Sequence, residues 1–256
     1  MKQAKLTIVH EHLRYPKVSL CATSSAKFIH IAAEIDRSST PFYWRTSSKK
    51  KAAIGLSTEA LQKLQAQHPA MEFSLFKAKL RPPGRGRYIR EHYAEHQFAA
   101  YDFVIFISVD SENSRQTLMS SPTFQQLVQK LNQLARKTTI TQASNIRQIG
   151  PVPPLAGHTF LFNYFSAENT AQNLGIWEYT ASWFEKETQL KNSVLLLPDS
   201  SSSYSIINHC SWPSIWDILP KLLFKSSFRS YVLDNFYANN VGAQPILYRL
   251  ISTQKH

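Results

Sequence analysis

The sequence predicts an α+β fold in which one β-α-β-β-α-β unit is used twice. Three observations carry this expectation. Two stretches, "SVDSENSRQTLMSSPTFQQLVQKL" (108–131) and "NHCSWPSIWDILPKLLFKSSFRSYVLDNF" (208–236), each read as a strand end followed by a helix, with Phe124 and Phe228 at matching places. "GPVPPLAG" (150–157) is the strongest linker in the chain, because its prolines stiffen the backbone and block ladder hydrogen bonds. The elements on either side follow one order, that of the ferredoxin-like plait. The division is therefore 1–149, an N-terminal half with an insertion; 150–157, the linker; and 158–256, the C-terminal half.

In the N-terminal half, "AKFIHIAAEI" (26–35) is a short apolar run and reads as the first strand. "STEALQKLQAQH" (57–68) reads as a helix opening on a Ser/Thr cap. "MEFSLFKAKL" (71–80) and "YDFVIFISVD" (101–110) are strands, separated by the loop "RPPGRGR" (81–87). "SPTFQQLVQKLNQLARK" (121–137) is a helix with Pro122 in its first turn, and "TITQASNIRQI" (139–149) is the last strand. The plait leaves two segments unassigned: the first 20 residues, and an insertion at 36–56.

The C-terminal half parses more cleanly. "HTFLFNYFS" (158–166) is an aromatic strand. The segment 167–188 is a helix, with Leu174, Trp177, Ala181, Phe184 and Thr188 recurring as one stripe. "NSVLLLP" (192–198) and "SYSIINHCSW" (203–212) are strands joined by a serine-rich hairpin loop. The segment 215–240 is helical with a kink or break at Pro220, and "PILYRLI" (245–251) closes the unit.

Composition narrows the function classes. With 43% hydrophobic and 12% aromatic residues, the chain has ample material for a packed core. No apolar run reaches the ~18 to 20 residues of a membrane helix, so no membrane partner is expected. The N-terminal stretch has no apolar core of signal-peptide length, and Cys21 and Cys210 stand alone as expected buried hydrophobes, so the expected location is cytoplasmic. The formal net charge is +12, concentrated at Lys49–Lys51 and in the 77–90 basic loop, which carries Lys77, Lys79, Arg81, Arg85, Arg87 and Arg90. Such a surface attracts anionic partners, nucleic acid among them, but Tyr88 and Tyr93 are too few to read as a stacking platform for bases. The 81–90 stretch is expected to be exposed and to lie outside any cavity. The sequence holds no dinucleotide fingerprint, no P-loop, no H-E-x-x-H and no G-x-S-x-G.

A strand ending in Trp212, Ser214 two positions on, an apolar helix start and "KSSFRSYV" with Phe228, echoed by Ser111 and "TLMSSPTFQQLV" with Phe124, resemble the dimeric α+β barrel superfamily. The likeness is to its antibiotic-biosynthesis-monooxygenase type. In a tandem member, the resemblance implies, one chain forms the barrel that other members make as dimers; further homo-oligomerisation stays open. It also implies a polar cavity-facing residue on the first strand of a unit, which Asn163 matches. Haem-degrading members add a Trp and a His on the helix after the third strand. Here those positions read Leu222 and Val232, and no proximal His can be placed, so neither haem nor any other cofactor is expected.

Asn163 alternates with Leu161 and Phe165 on one strand face. A buried amide among aromatics costs roughly 1–3 kcal/mol unless something accepts or donates to it, which makes Asn163 the first candidate for the site. His209 is the candidate general base, since an imidazole titrates near 6.5. Alternation sets Tyr204, Asn208 and Trp212 on one face of the third strand and His209 on the other. Tyr204, Asn208, Trp212 and Tyr248 are the candidate ligand contacts; no metal site is expected. The leading expectation is an apolar, aromatic-lined barrel cavity. It would bind a small aromatic or polyketide-like ligand, with cofactor-independent monooxygenase chemistry if catalytic. The alternatives are a non-catalytic binding or sensing barrel, and a basic-surface binder of nucleic acid or other anions.

Overall fold

The computed structural model describes residues 5–36, 41–82, 86–92, 98–199 and 202–254. Its strands are β1 (Lys27–Glu34), β2 (Glu72–Leu80), β3 (Phe103–Val109), β4 (Lys137–Gly150), β5 (Thr159–Ala167), β6 (Ser193–Pro198), β7 (Ile206–Trp212) and β8 (Val241–Gln254). The eight close into an antiparallel barrel in the order β1-β3-β2-β8-β5-β7-β6-β4. The plait order β4-β1-β3-β2 thus recurs as β8-β5-β7-β6, and the two sets join through β2–β8 and β4–β6. The expected α+β architecture of two plaits forming one barrel is what the chain adopts.

The helices are α1 (Ser48–Gln67), α2 (Arg87–Glu91), α3 (Glu112–Ser120), α4 (Pro122–Leu134), α5 (Thr170–Thr188), α6 (Leu219–Phe224) and α7 (Asp234–Ala238). A 3₁₀ turn at Ile215–Asp217 precedes α6, and a π-helical turn at Phe228–Leu233 precedes α7. None is long and apolar enough to cross a membrane. The first helix begins well before the expected Ser57. Its cap is Ser47, whose side chain accepts from the Lys50 amide, while Ser57 lies mid-helix and bonds the Ala53 carbonyl. Part of the unassigned 36–56 segment is therefore helix; residues 37–40 lie outside the described residues.

Lys50 explains how that helix is anchored. Its ammonium is buried between Asp36 and Asp102, 2.9 Å from a carboxylate oxygen of each. Asp102 also accepts from the amides of Ile35 and Asp36 at the end of β1. A buried charge is tolerable only when matched in this way.

Successive strand residues face opposite sides of the barrel. Inward side chains fill the lumen with Phe76, Phe160, Phe162, Tyr164, Ile207 and Tyr248, as a barrel of eight strands allows. Among the described residues these side chains pack against one another where the sequence suggested a cavity. The outward faces pack under helices, and here the two halves differ. In the N-terminal half, Ile29, Ile31, Ile105 and Ile107 meet Leu61 and Leu64 of α1 and Phe124, Leu127 and Leu131 of α4 in a continuous apolar core. In the C-terminal half, α5 covers part of the sheet, but the 215–240 segment, expected to be helical with a kink or break at Pro220, is divided into two turns and two short helices.

The unassigned N-terminus has a defined place. Leu6, Ile8, Leu13 and Tyr15 pack against the helical layer of the C-terminal half. Asn235 and Asn239, one helical turn apart, each bond both backbone groups of one residue in this segment, Val9 and Thr7 respectively. Cys21 is exposed rather than buried, whereas Cys210 is buried as expected.

Candidate functional site

Asn163 sits at the middle of β5, and alternation decides where it looks. Phe160, Phe162 and Tyr164 point into the lumen; Leu161, Asn163 and Phe165 point outward, toward the helices. Asn163 lines a cavity, but not the barrel cavity expected from the sequence: this one lies outside the barrel, between the sheet and the helical layer of the C-terminal half. It encloses about 760 Å³. Its floor is Leu161 and Asn163 of β5 with Ala243, Pro245 and Leu247 of β8. Its walls are Phe184 of α5, Leu222 of α6, and Phe228, Val232 and Phe236 of the π turn and α7. The break in the helical layer makes the space: α4 fills the matching volume of the other half with Phe124 and its neighbours, while the 215–238 segment stands off the sheet.

The Asn163 Oδ1 is buried and accepts no hydrogen bond from the described residues. Its cross-strand neighbours are Asn208 on β7 and Pro245 on β8. Asn208 shares the outward face but is satisfied, its Oδ1 accepting from Ser193 Oγ at 2.5 Å. Trp212 lies on the same face and donates its indole N–H to Thr188 Oγ1 at 3.0 Å. Asn163, Asn208 and Trp212 line a recess of about 30 Å³ that adjoins the main cavity through Leu161, Asn163, Phe184 and Phe236.

The other three candidates are elsewhere. His209, Tyr204 and Tyr248 all lie in the lumen, on the far side of the sheet from Asn163. The His209 ring stacks on Phe162 at 4.2 Å, and its Nδ1 bonds the Leu161 carbonyl at 3.1 Å. Burial lowers its pKa to about 4. It stays neutral, but no wall of the cavity is within its reach. Tyr204 bonds the Tyr101 hydroxyl at 2.7 Å, and Tyr248 bonds that of Tyr164 at 3.3 Å. The expected alignment of Tyr204 with Asn208 fails because β7 begins only at Ile206, so strand alternation does not extend back to residue 204.

The basic loop is also displaced from its expected place. Pro82, Gly86, Arg87 and Arg90 line the cavity, because α2 packs on β8; Arg85 and Tyr93 lie outside the described residues. Across the mouth stand Lys225, Arg229 and the exposed Leu223 and Phe224. Arg87 bonds Glu91 at 2.9 Å and lies over the Tyr237 ring, Lys225 pairs with Glu187, and Asp234 meets His10 at 3.0 Å. The charge of the 77–90 stretch is plain in the sequence, but its place at the cavity is not, and Arg229 stands outside that stretch.

No His, Cys or Met lines the main cavity, and Leu222 and Val232 both do. A haem iron would find no imidazole or sulfur ligand among these residues. Among the described residues, no group of three His, Cys, Asp or Glu side chains could hold a metal ion.

No family model matches this chain, and no curated protein matches it. Solved structures do. A candidate monooxygenase from Fusobacterium nucleatum superposes over 91% of this chain and 95% of its own, with a TM-score of 0.59 at 9% identity. An anthrone oxidase-like protein covers 89% and 92%, with a TM-score of 0.60 at 10% identity. A candidate monooxygenase from Lactobacillus acidophilus covers 91% and 97%, with a TM-score of 0.51 at 4% identity. At these identities the likeness is one of fold.

Proposed function

We propose that this chain, which has the fold of the dimeric α+β barrel superfamily with both halves in one polypeptide, binds a small aromatic ligand bearing a phenolic or enolic hydroxyl in the cavity over β5 and β8. One observation carries the reading: Asn163 lies in the otherwise apolar floor of the cavity, and its buried Oδ1 has no partner among the described residues. An orphaned acceptor asks for a donor, and leaving it unmet costs roughly 1–3 kcal/mol. A flat apolar ring carrying an O–H satisfies the amide and covers Leu161, Phe184, Phe228 and Phe236 at once. Rotating the amide end for end offers Nδ2–H to the same oxygen when it is ionised. A volume of about 760 Å³ lies within the usual range for small-molecule sites.

The likeness to folds described as monooxygenases and as anthrone oxidase-like favours a second step, oxygenation of that ligand. The balanced reaction at an activated ring methylene is R₂CH₂ + O₂ → R₂C=O + H₂O. Both C–H bonds break, one oxygen atom enters the new carbonyl and the other leaves as water, and the substrate supplies all four electrons. The protein's part would be to hold the ionised ring oxygen on Asn163 and to seat the ring against the apolar walls. The mouth is open to solvent, so the first proton leaves to water.

The test is titration with 1,8-dihydroxyanthrone under nitrogen, followed by tryptophan fluorescence, and then oxygen uptake in air. Saturable binding is expected, weakened about fivefold or more in Asn163→Ala, the equivalent of one hydrogen bond. Leu222→Trp, which fills the cavity, should abolish it. The absence of saturable binding, or binding indifferent to both changes, overturns the proposal. Binding without oxygen uptake above the uncatalysed rate leaves a binding protein and removes the oxygenation step.

A further inference from the structure

We infer that the ligand of this cavity is an acid: an aromatic body with a carboxylate that reaches the mouth and is held by Arg90 and Arg229. The inference rests on the reading above that the cavity binds a ligand, and it adds the chemical class. Four cationic side chains line the space, Arg87, Arg90, Lys225 and Arg229, against one acidic side chain, Asp234. Three of these five already have partners: Arg87 has Glu91, Lys225 has Glu187, and Asp234 has His10. Arg90 and Arg229 have no carboxylate partner among the described residues, and different elements carry them, α2 and the π turn. Both border the same space, although the segments that carry them lie far apart in the chain.

Two unmatched guanidinium groups above an apolar pocket form a site with a polarity. The floor offers an amide acceptor for a hydroxyl, the walls offer aromatic and aliphatic surface, and the rim offers planar five-donor cations that match a carboxylate fork. A neutral ligand would satisfy the floor and the walls and leave the rim unused. An acid uses all three. Because both arginines are exposed, the attraction works partly through solvent, so it is modest in low salt and weaker in high salt.

The experiment compares 9-anthracenecarboxylic acid with its methyl ester, by fluorescence titration at 20 mM and 500 mM NaCl. Wild type, Arg90→Gln, Arg229→Gln and the double variant are measured side by side. The expected result is an acid preference of about fivefold or more at low salt, reduced at high salt and erased in the double variant, with ester affinity unchanged. Equal affinities for acid and ester in wild type, or a preference that survives in the double variant, overturn this inference while leaving the cavity as a binding site. If neither probe binds and 1,8-dihydroxyanthrone does not bind either, the functional reading itself has failed. Circular dichroism of each variant separates a lost preference from a lost fold.

Discussion

Asn163 and Asn208 stand opposite one another across the β5–β7 ladder, on the face turned to the helices, and their amides meet different fates. Asn208 accepts from a buried serine; Asn163 Oδ1 accepts from nothing among the described residues. The pair gives a direct contrast. Asn163→Leu removes an unsatisfied polar group from an apolar floor, so the free protein should be as stable as wild type or more stable by up to about 1 kcal/mol. Asn208→Leu strands the Ser193 hydroxyl and should cost about 1–3 kcal/mol. Urea unfolding of the two variants checks both signs. Equal destabilisation would mean that Asn163 is structural.

The lumen should report its burial through pH. Burial lowers the His209 pKa to about 4 and the His30 pKa to about 3, where His209 adds like-charge repulsion. Both values are below the unfolded value near 6.5, so the unfolded chain takes up these protons first. Their contribution is therefore complete above pH 6.5 and is lost as pH falls from there toward 4. In that window each histidine steepens the loss of stability by about 1.4 kcal/mol per pH unit. Stability measured from pH 7.5 to 4.5 should fall with a slope that is one proton smaller in His209→Phe.

Tyr164 tests whether the lumen is structural and nothing more. Its hydroxyl lies 3.2 Å from His30 Nε2 and 3.3 Å from the Tyr248 hydroxyl, so Tyr164→Phe leaves two buried groups short of a partner. The expected cost is about 1–3 kcal/mol, read as a lower urea midpoint. Affinity for 1,8-dihydroxyanthrone should not change, because the sheet separates these groups from the cavity. A variant that keeps its stability but loses affinity would return the site to the lumen.

The strands and their repeated order were legible because each is a short apolar run bounded by Pro, Gly or polar clusters. Closure was not readable from local pattern: the β2–β8 and β4–β6 seams join segments far apart in the chain, and neither leaves a mark in either strand. Asn163 was legible as a costly amide, but its side of the sheet was not. β5 carries Phe160, Phe162 and Tyr164 on one face and Leu161 and Phe165 on the other, so hydrophobicity cannot tell lumen from helical layer. The polar character of the C-terminal half's outward face was the available signal. Where β1 and β3 present isoleucines, β5 and β7 present Asn163 and Asn208. The arginine rim was hidden for a different reason: it depends on how closely α2 approaches β8, which no periodicity encodes.

That approach depends on Gly242. A methyl group at this position would come within 2.3 Å of Ile89 Cδ1, 2.4 Å of Ile89 Cγ1 and 3.1 Å of Tyr88 Cδ1. Ile89 and Tyr88 are both buried, so neither can swing aside into solvent. Relieving the overlap requires Ile89 to repack or α2 to shift away from β8, and α2 carries Arg87 and Arg90. Gly242→Ala should therefore weaken binding of 9-anthracenecarboxylic acid while leaving that of its methyl ester nearly unchanged, although residue 242 is not among those lining the cavity. The overpacking itself should cost about 1–3 kcal/mol of stability, seen as a lower urea midpoint. Adding Ile89→Ala to Gly242→Ala makes room for the new methyl and should restore part of the acid preference. If Gly242→Ala weakens acid and ester alike, the floor has moved rather than the rim. If it changes neither affinity, Ile89 has repacked and α2 has stayed in place.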